Sequence, residues 1–261
     1  MRKYLALARA ALLDAVQEKA EIMIWVLLDA LPVFIMASLW LSNRTQVTIM
    51  SISQLITYYI IAMIIGRLTE FFFDEDMGEL VRTGEFSKYL LKPLRFPAAF
   101  IPQTFGRKLF SGFVMITPIV AVIGIFFRQY LVFPSKIQLL LFLLSLIITL
   151  GIRYSLSTLA AAGAFFWEQS GALTHVRWVL EIVAGGYILP LSFYPSWLRI
   201  IPESLPIKYI YYVPISIYTG IFDNKTALST LAIGTLWLPV MIFAAHWVWR
   251  KGITRYSGVG G

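Results

Sequence analysis

Cysteine is absent from the 261 residues, which excludes disulfides and thiolate metal sites. Histidine is nearly absent. His175 and His246 stand far apart, which argues against a histidine-based metal centre. Charge is scarce: 14% of residues are Asp, Glu, Lys or Arg, against about a quarter in an ordinary soluble domain. There is no G-x-x-x-x-G-K-[ST] and no Gly-rich strand-to-helix turn, so no nucleotide-binding motif is visible. A Ser/His/Asp set and an H-E-x-x-H motif are missing too. If ATP drives this protein, another chain hydrolyses it. What fills the sequence is apolar residues, 59% of the total, with a mean hydropathy of +0.75. That composition reads as an integral membrane protein. The net charge of +8 then reads as orientation and contact with anionic lipid, with no nucleic acid partner.

A spanning helix needs about 20 mostly apolar residues. Six runs qualify: 22–41, 51–65 with an extension towards 73, 109–127, 137–166, 178–193 and 228–249. The period-2 alternation of a membrane barrel is absent, so the expected fold is all-α with six transmembrane helices. Arg2 and Lys3 resemble the start of a signal peptide. Arg9 and Asp14 interrupt the apolar run behind them, and Gln17, Glu18, Lys19 and Glu21 follow. Residues 2–20 are therefore read as a helix lying along the interface. With both termini cytoplasmic, 15 of the 22 Lys and Arg fall on the inner side and six on the outer, and Arg153 remains inside the fourth run. That bias follows the positive-inside rule. Trp247 and Trp249, just before Arg250, fit an interfacial aromatic belt. No linker, low-complexity segment or repeat divides the chain, so 1–261 is read as one membrane domain.

The longest charge-rich interval is 71–93 (FFFDEDMGELVRTGEFSKYLLKP). Asp74, Glu75 and Asp76 sit where a helix would begin, and acids are favoured at that positive end. Met77, Leu80 and Val81 share one face at i, i+3 and i+4, and Glu79 lies between them. Gly84 suits the position just past a helix end. A second short helix follows, with Phe86, Tyr89 and Leu90 at the same spacing, limited by Pro93. Two readings fit: an interfacial helix pair on lipid headgroups, or a ridge that docks into a soluble partner. The acids favour the protein partner, because anionic headgroups repel them.

The last outer connection, 192–226, carries Pro195, Pro202, Pro206 and Pro214 among many aromatics. Proline ends helices, so short broken helices are expected. Trp197, Tyr209, Tyr211, Tyr212 and Tyr218 suggest a structure lying in the outer interface or dipping into it. Among charges near the spans, Asp29 is costly inside a membrane. It is read as a polar contact in the bundle or between subunits, or as a neutral hydrogen-bonded Asp beside Pro32. Arg153 lies near the inner end of its run, where snorkelling to the interface is preferred over a pathway role. Glu181 follows Arg177 by one turn, which suggests a modest local ion pair. Residues 160–164 and Gly185–Gly186 offer small-residue surfaces, for packing within the chain or between subunits.

The segment 84–94 (GEFSKYLLKPL) resembles the G-x-x-x-x-Y-L-L-x-P-L signature of permease subunits of ATP-binding-cassette exporters in the ABC type-2 superfamily. Pro195-Ser196-Trp197-Leu198, with Leu205-Pro206, Pro214 and Gly220 beyond, is similar to that family's segment before the last span. The ending from Trp249 to Gly261 is similar to its C-terminal tail. The resemblance implies an N-terminal interfacial helix, six spans, a coupling helix within 74–91 and a re-entrant outer hairpin at 194–220. It also implies two paired permeases in a bacterial plasma (inner) membrane, identical or homologous. They would rest on a dimer of separate ATP-binding subunits that hold ATP and Mg. On this view no cofactor sits on the chain itself. Competing expectations are an ion-coupled carrier or channel working without an ATPase, which would need facing ionisable groups in the membrane, and a membrane-embedded enzyme, for which no acid/base or metal set is visible.

Overall fold

In the computed structural model the described residues are 19–42, 49–91, 97–99, 101–102, 104, 116–118, 120–121, 124–167 and 171–256. The interfacial helix at 2–20, the third span at 109–127 and the tail at 257–261 lie wholly or largely outside them, as does the side chain of Asp29.

No strand occurs among the described residues, and the elements are helices throughout. They are α1 (Lys19–Ser42), α2 (Ile52–Thr69), α3 (Phe73–Arg82), α4 (Phe86–Leu90), α5 (Lys136–Ala162), α6 (Gly171–Ala184), α7 (Ser196–Ser204), α8 (Tyr212–Tyr218) and α9 (Asn224–Ile253). Among the described residues three stretches are long and apolar enough to cross a membrane: Ile52–Arg82, Lys136–Phe165 and Asn224–Ile253, with Ala30–Ser42 a shorter apolar helix.

The long helices start at polar caps. Ser51 and Gln54 form a capping box at α2, and Ser135 and Gln138 repeat it at α5. Asp223 caps α9 by accepting from the Thr226 N–H at 3.0 Å. The caps of α2 and α5 lie at one end of the bundle. Gln54 donates to the Thr219 carbonyl at 3.3 Å, and the Gln138 amide lies against Gly220. α5 packs most extensively on α9. Their outward faces carry exposed apolar side chains such as Leu140, Ile147, Leu236 and Phe243. Exposed apolar surface on this scale belongs against lipid or another subunit.

The run 178–193, expected as a spanning helix, is not one helix. α6 has 14 residues, about 21 Å at 1.5 Å per residue, and stops at Gly185 and Gly186. Gly186 takes φ +87°, a left-handed value that ends a helix. Four of the carbonyls around the break have partners. Tyr58 donates to Gly186 at 2.6 Å, Tyr59 to Ile188 at 3.1 Å, Tyr194 to Val183 at 2.8 Å, and the Tyr212 N–H to Gly185 at 2.9 Å. Irregular backbone is tolerated at such depth only when partners of this kind satisfy it. The two small-residue surfaces thus resolve within the chain. Gly185–Gly186 form a break that tyrosines approach closely, and Ala161 and Ala162 pack on Phe73, Met77 and Trp249.

Two of the four prolines stand at breaks, as expected: Pro195 precedes α7 and Pro206 opens a 3-10 turn, Pro206–Tyr209, whereas Pro202 and Pro214 lie inside α7 and α8. The second half of the hairpin does not lie at a surface. Tyr209, Tyr211, Tyr212 and α8 fill the centre of the bundle between α2, α5 and α9. Thr149 donates to the Tyr209 carbonyl at 2.7 Å and Tyr209 to the Thr230 carbonyl at 3.0 Å. Trp197 stays exposed at 73%. Tyr209 is therefore a core residue and not an interfacial anchor.

Candidate functional site

α3 turns away from α2 after the extended residue Glu70. Its first turn carries Asp74, Glu75 and Asp76, as the helix-end argument expects. Glu75 and Asp76 face outward, but Asp74 turns inward and is only 2% exposed. Its Oδ1 accepts from the Ser157 hydroxyl at 2.7 Å, and its Oδ2 accepts from Arg177 Nε at 2.9 Å. Arg177 Nη1 donates to Glu181 Oε1 at 2.7 Å, one turn along α6. Glu181 Oε2 lies 3.3 Å from Arg153 Nη2. Arg153 also donates to the Gly66 carbonyl and to Thr69 Oγ1, each at 3.1 Å, and to the Tyr211 hydroxyl. Its guanidinium stands 4.8 Å from the centre of the Tyr211 ring.

The result is an unbroken buried chain, Asp74–Arg177–Glu181–Arg153–Tyr211, running from the first turn of α3 to the residue just before α8. It holds two acids and two bases, so its formal charge cancels. Cancellation and dense hydrogen bonding are what let four ionised groups sit out of water.

Arg153 therefore does not snorkel. It lies about 25 Å along α5 from Lys136 and is 2% exposed. The α2 terminus, the acid on α6 and the hairpin hydroxyl converge there and hold the guanidinium inside. The Arg177–Glu181 pair exists as expected, but it is buried and shared rather than modest and solvated.

Below the network, α3 and α4 present two faces. Phe73, Met77 and Phe86 are buried against Ala161, Ala162, Phe165 and Trp249. Ring centroids lie 5.3 Å apart for Phe73–Trp249 and 5.4 Å for Phe86–Phe165. Leu80, Val81 and Tyr89 pack partly on the same cluster. Asp74, Met77 and Phe86, read from the sequence as partner contacts, are thus internal anchors of these helices. Trp249 is also internal and leaves Trp247, with Lys251 3.8 Å over its ring, as the belt residue. Gly84 ends α3 with φ +75°, the left-handed stop its position predicts. Tyr256 clamps this turn by donating to the Gly84 carbonyl at 3.2 Å, and its hydroxyl lies 3.1 Å from that of Ser87. The outward face carries Glu75, Asp76, Glu79, Arg82, Glu85, Lys88, Leu90 and Leu91. Glu79–Arg82 and Glu85–Lys88 pair at 2.7 and 2.8 Å across exposed positions. The Lys88 hydrogen bond holds the Glu85 carboxyl below its ordinary range. Such surface pairs contribute little to stability and leave their charges open to a partner.

A cavity of about 520 Å³ opens near the far end of α1, lined by Met36, Leu39, Trp40, Tyr59 and Ile188 among others. None of the four buried charged residues lines it. Among the described residues no group of three or more His, Cys, Asp or Glu comes together to hold a metal ion. The sequence reading missed Tyr211, Ser157, Thr69 and the inward role of Asp74. The signal was present in part: two bases and two acids lie in or beside apolar runs that cannot bury them singly.

These features define a helical membrane protein with a broken half-length helix and an inserted hairpin. The family model for ABC-2 family transporter proteins matches residues 27–260. The chain belongs to that family and is a permease of the ABC-2 superfamily. No curated protein and no solved structure matches it.

Proposed function

We propose that the chain is the transmembrane permease subunit of an ATP-driven exporter, working as a pair with an identical or homologous permease. The path for cargo runs between the two permeases. Each permease crosses the membrane six times, the fifth crossing made by α6 together with the irregular backbone beyond Gly186, with both termini in the cytoplasm and the interfacial helix 2–20 along the inner face of a bacterial plasma membrane. ATP and Mg are bound by a dimer of separate ATPase subunits. The observation that carries this reading is the charged outward face of α3 and α4, on helices anchored from behind by Met77 and Phe86, in a chain whose family match covers 27–260. A short amphipathic pair with a rigid apolar back and an open charged front suits a protein surface better than anionic headgroups.

The test is co-purification from membranes. Glu75→Lys, Glu79→Lys and Glu85→Lys together should abolish recovery of an ATP-binding-cassette subunit while the chain still inserts. Phe86→Ala is the control: it should lower stability by about 3–5 kcal/mol without reversing any surface charge. Full association after the triple reversal would show the docking assignment to be wrong.

One observation favours a second reading, an ion-coupled carrier. The sequence offered only Asp29 as a convincing intramembrane charge, yet Asp74, Arg153, Arg177 and Glu181 face one another in the interior. Their mutual pairing leaves no net charge to hold a coupling ion, so the permease reading is preferred. Transport by the purified chain alone, driven by an ion gradient and indifferent to ATP, would reverse that preference.

A further inference from the structure

α6 is attached at its middle and at its finish to elements of opposite function. At its middle, Arg177 grips Asp74 on the docking helix α3 at 2.9 Å. At its finish, the Gly185 carbonyl accepts from the Tyr212 N–H at 2.9 Å, and the Val183 carbonyl accepts from Tyr194 at 2.8 Å. Both of the latter partners belong to the 194–220 segment, Tyr194 at its start and Tyr212 in its second half. Between these points Glu181 is shared by Arg177 and by Arg153, and Arg153 reaches Tyr211 just before α8. A helix of 14 residues is stiff over this length. The Arg177, Glu181 and Gly185 anchors are buried, so water cannot replace them as they shift. Gly186, with its left-handed backbone, ends α6, and Tyr58 and Tyr59 hold the chain just beyond it to α2.

Resting on the reading of this chain as an ATP-driven permease, we propose that Arg153 is a positioning residue that ties the hairpin to the docking helix. A displacement of α3 passes through Asp74 and Arg177 to α6, and α6 moves the hairpin about the fixed guanidinium on α5. Apolar packing alone would let α6 slide past its neighbours. The shared carboxylate of Glu181 and the five-donor fork of Arg153 fix one register between them. Coupling of this kind is a physical claim only if both ends bias one element, and α6 is that element.

The absence of cysteine makes the test direct, because an introduced thiol is the only one on this chain and is labelled before the complex is assembled. An environment-sensitive fluorophore is placed at Leu91→Cys on the docking side (88% exposed) and, separately, at Trp197→Cys on the hairpin (73% exposed). The chain is studied in its native complex with its ATPase, before and after addition of a non-hydrolysable ATP analogue. Both labels should respond in the otherwise unaltered chain. With Tyr211→Phe or Asp74→Asn added, the Leu91→Cys signal should persist and the Trp197→Cys signal should fall at least fivefold. If Tyr211→Phe fails to accumulate in membranes, Arg153→Lys gives the same reading. It keeps the charge but cannot bridge Glu181, Tyr211, Gly66 and Thr69 together. A merely structural role would lower yield without separating the two signals. A hairpin signal that survives all three substitutions, or is absent from the unaltered chain, overturns the proposal and leaves the permease reading intact. A docking label that never responds overturns the permease reading, and this proposal with it.

Discussion

Replacing Glu181 by alanine removes the one carboxylate that touches both buried arginines. The separations are 2.7 Å to Arg177 and 3.3 Å to Arg153. At an effective dielectric of about 20 the gross attractions are about 6 and about 5 kcal/mol. Desolvating the carboxylate cancels several kcal/mol of this. What remains after Glu181→Ala is a buried interior with one uncompensated positive charge, since Asp74 balances only Arg177. Removing one partner of a buried pair costs about 3–5 kcal/mol. For a chain of this size each kcal/mol lowers the melting temperature by about 2–4 °C. Thermal unfolding of the detergent-solubilised chain should therefore fall by about 6–20 °C. The second half of the experiment is Arg153→Met in the Glu181→Ala background. It removes the stranded charge and leaves the neutral Asp74–Arg177 pair, so it should restore part of the loss. A drop of less than about 2 °C for Glu181→Ala, too small for any lost buried pair, refutes the reasoning. So does a double variant less stable than the single.

Two further expectations concern backbone and caps. Gly186→Ala places a Cβ 3.1 Å from both the Tyr212 Cβ and the Tyr58 hydroxyl, at a φ of +87°. It should cost at least about 1–2 kcal/mol from the left-handed backbone alone, whereas Gly124→Ala, with nothing within 4 Å, should leave melting unchanged. Hydrogen bonds from the Thr226 hydroxyl and then its backbone N–H hold Asp223 below the ordinary aspartate range. A depressed carboxyl adds stability that is full above its unfolded value and is lost as pH falls through the folded one. Asp223→Ala should therefore melt earlier than the unaltered chain near neutral pH, and the gap should close on acidification. A gap that widens as pH falls would contradict the cap.

The helical fold was legible because long apolar runs leave the backbone no other solution in lipid. Run 137–166 reappears as α5 with its 3-10 extension, shifted by one residue, and run 228–249 as α9, which is four residues longer at each end. The stop at Gly84 and the breaks at Pro195 and Pro206 were legible too, because those residues act on their own backbone. The run 178–193 misled because hydropathy cannot see a helix end whose freed carbonyls are met by tyrosines from other segments. The aromatic residues of 192–226 left open whether the segment lies in an interface or dips inward, and for Tyr209 the contacts with Thr149 and Thr230 decide for the core.

The charged residues divide along the same line. By itself the sequence determined that this is a helical membrane protein with a charge-rich stretch between apolar runs and a proline-broken segment before the last long helix, because period, length and proline chemistry are local properties. It also set the Arg177–Glu181 spacing of one helical turn. Only the tertiary structure decided that Asp74 turns inward, that Arg153 is held within the bundle, and that Tyr211 comes down to meet it. Arg153 bonds a hydroxyl 58 positions away, and Arg177 a carboxylate 103 positions away. Whether a charge in an apolar run snorkels or pairs depends on what the fold brings beside it, and no local pattern carries that information.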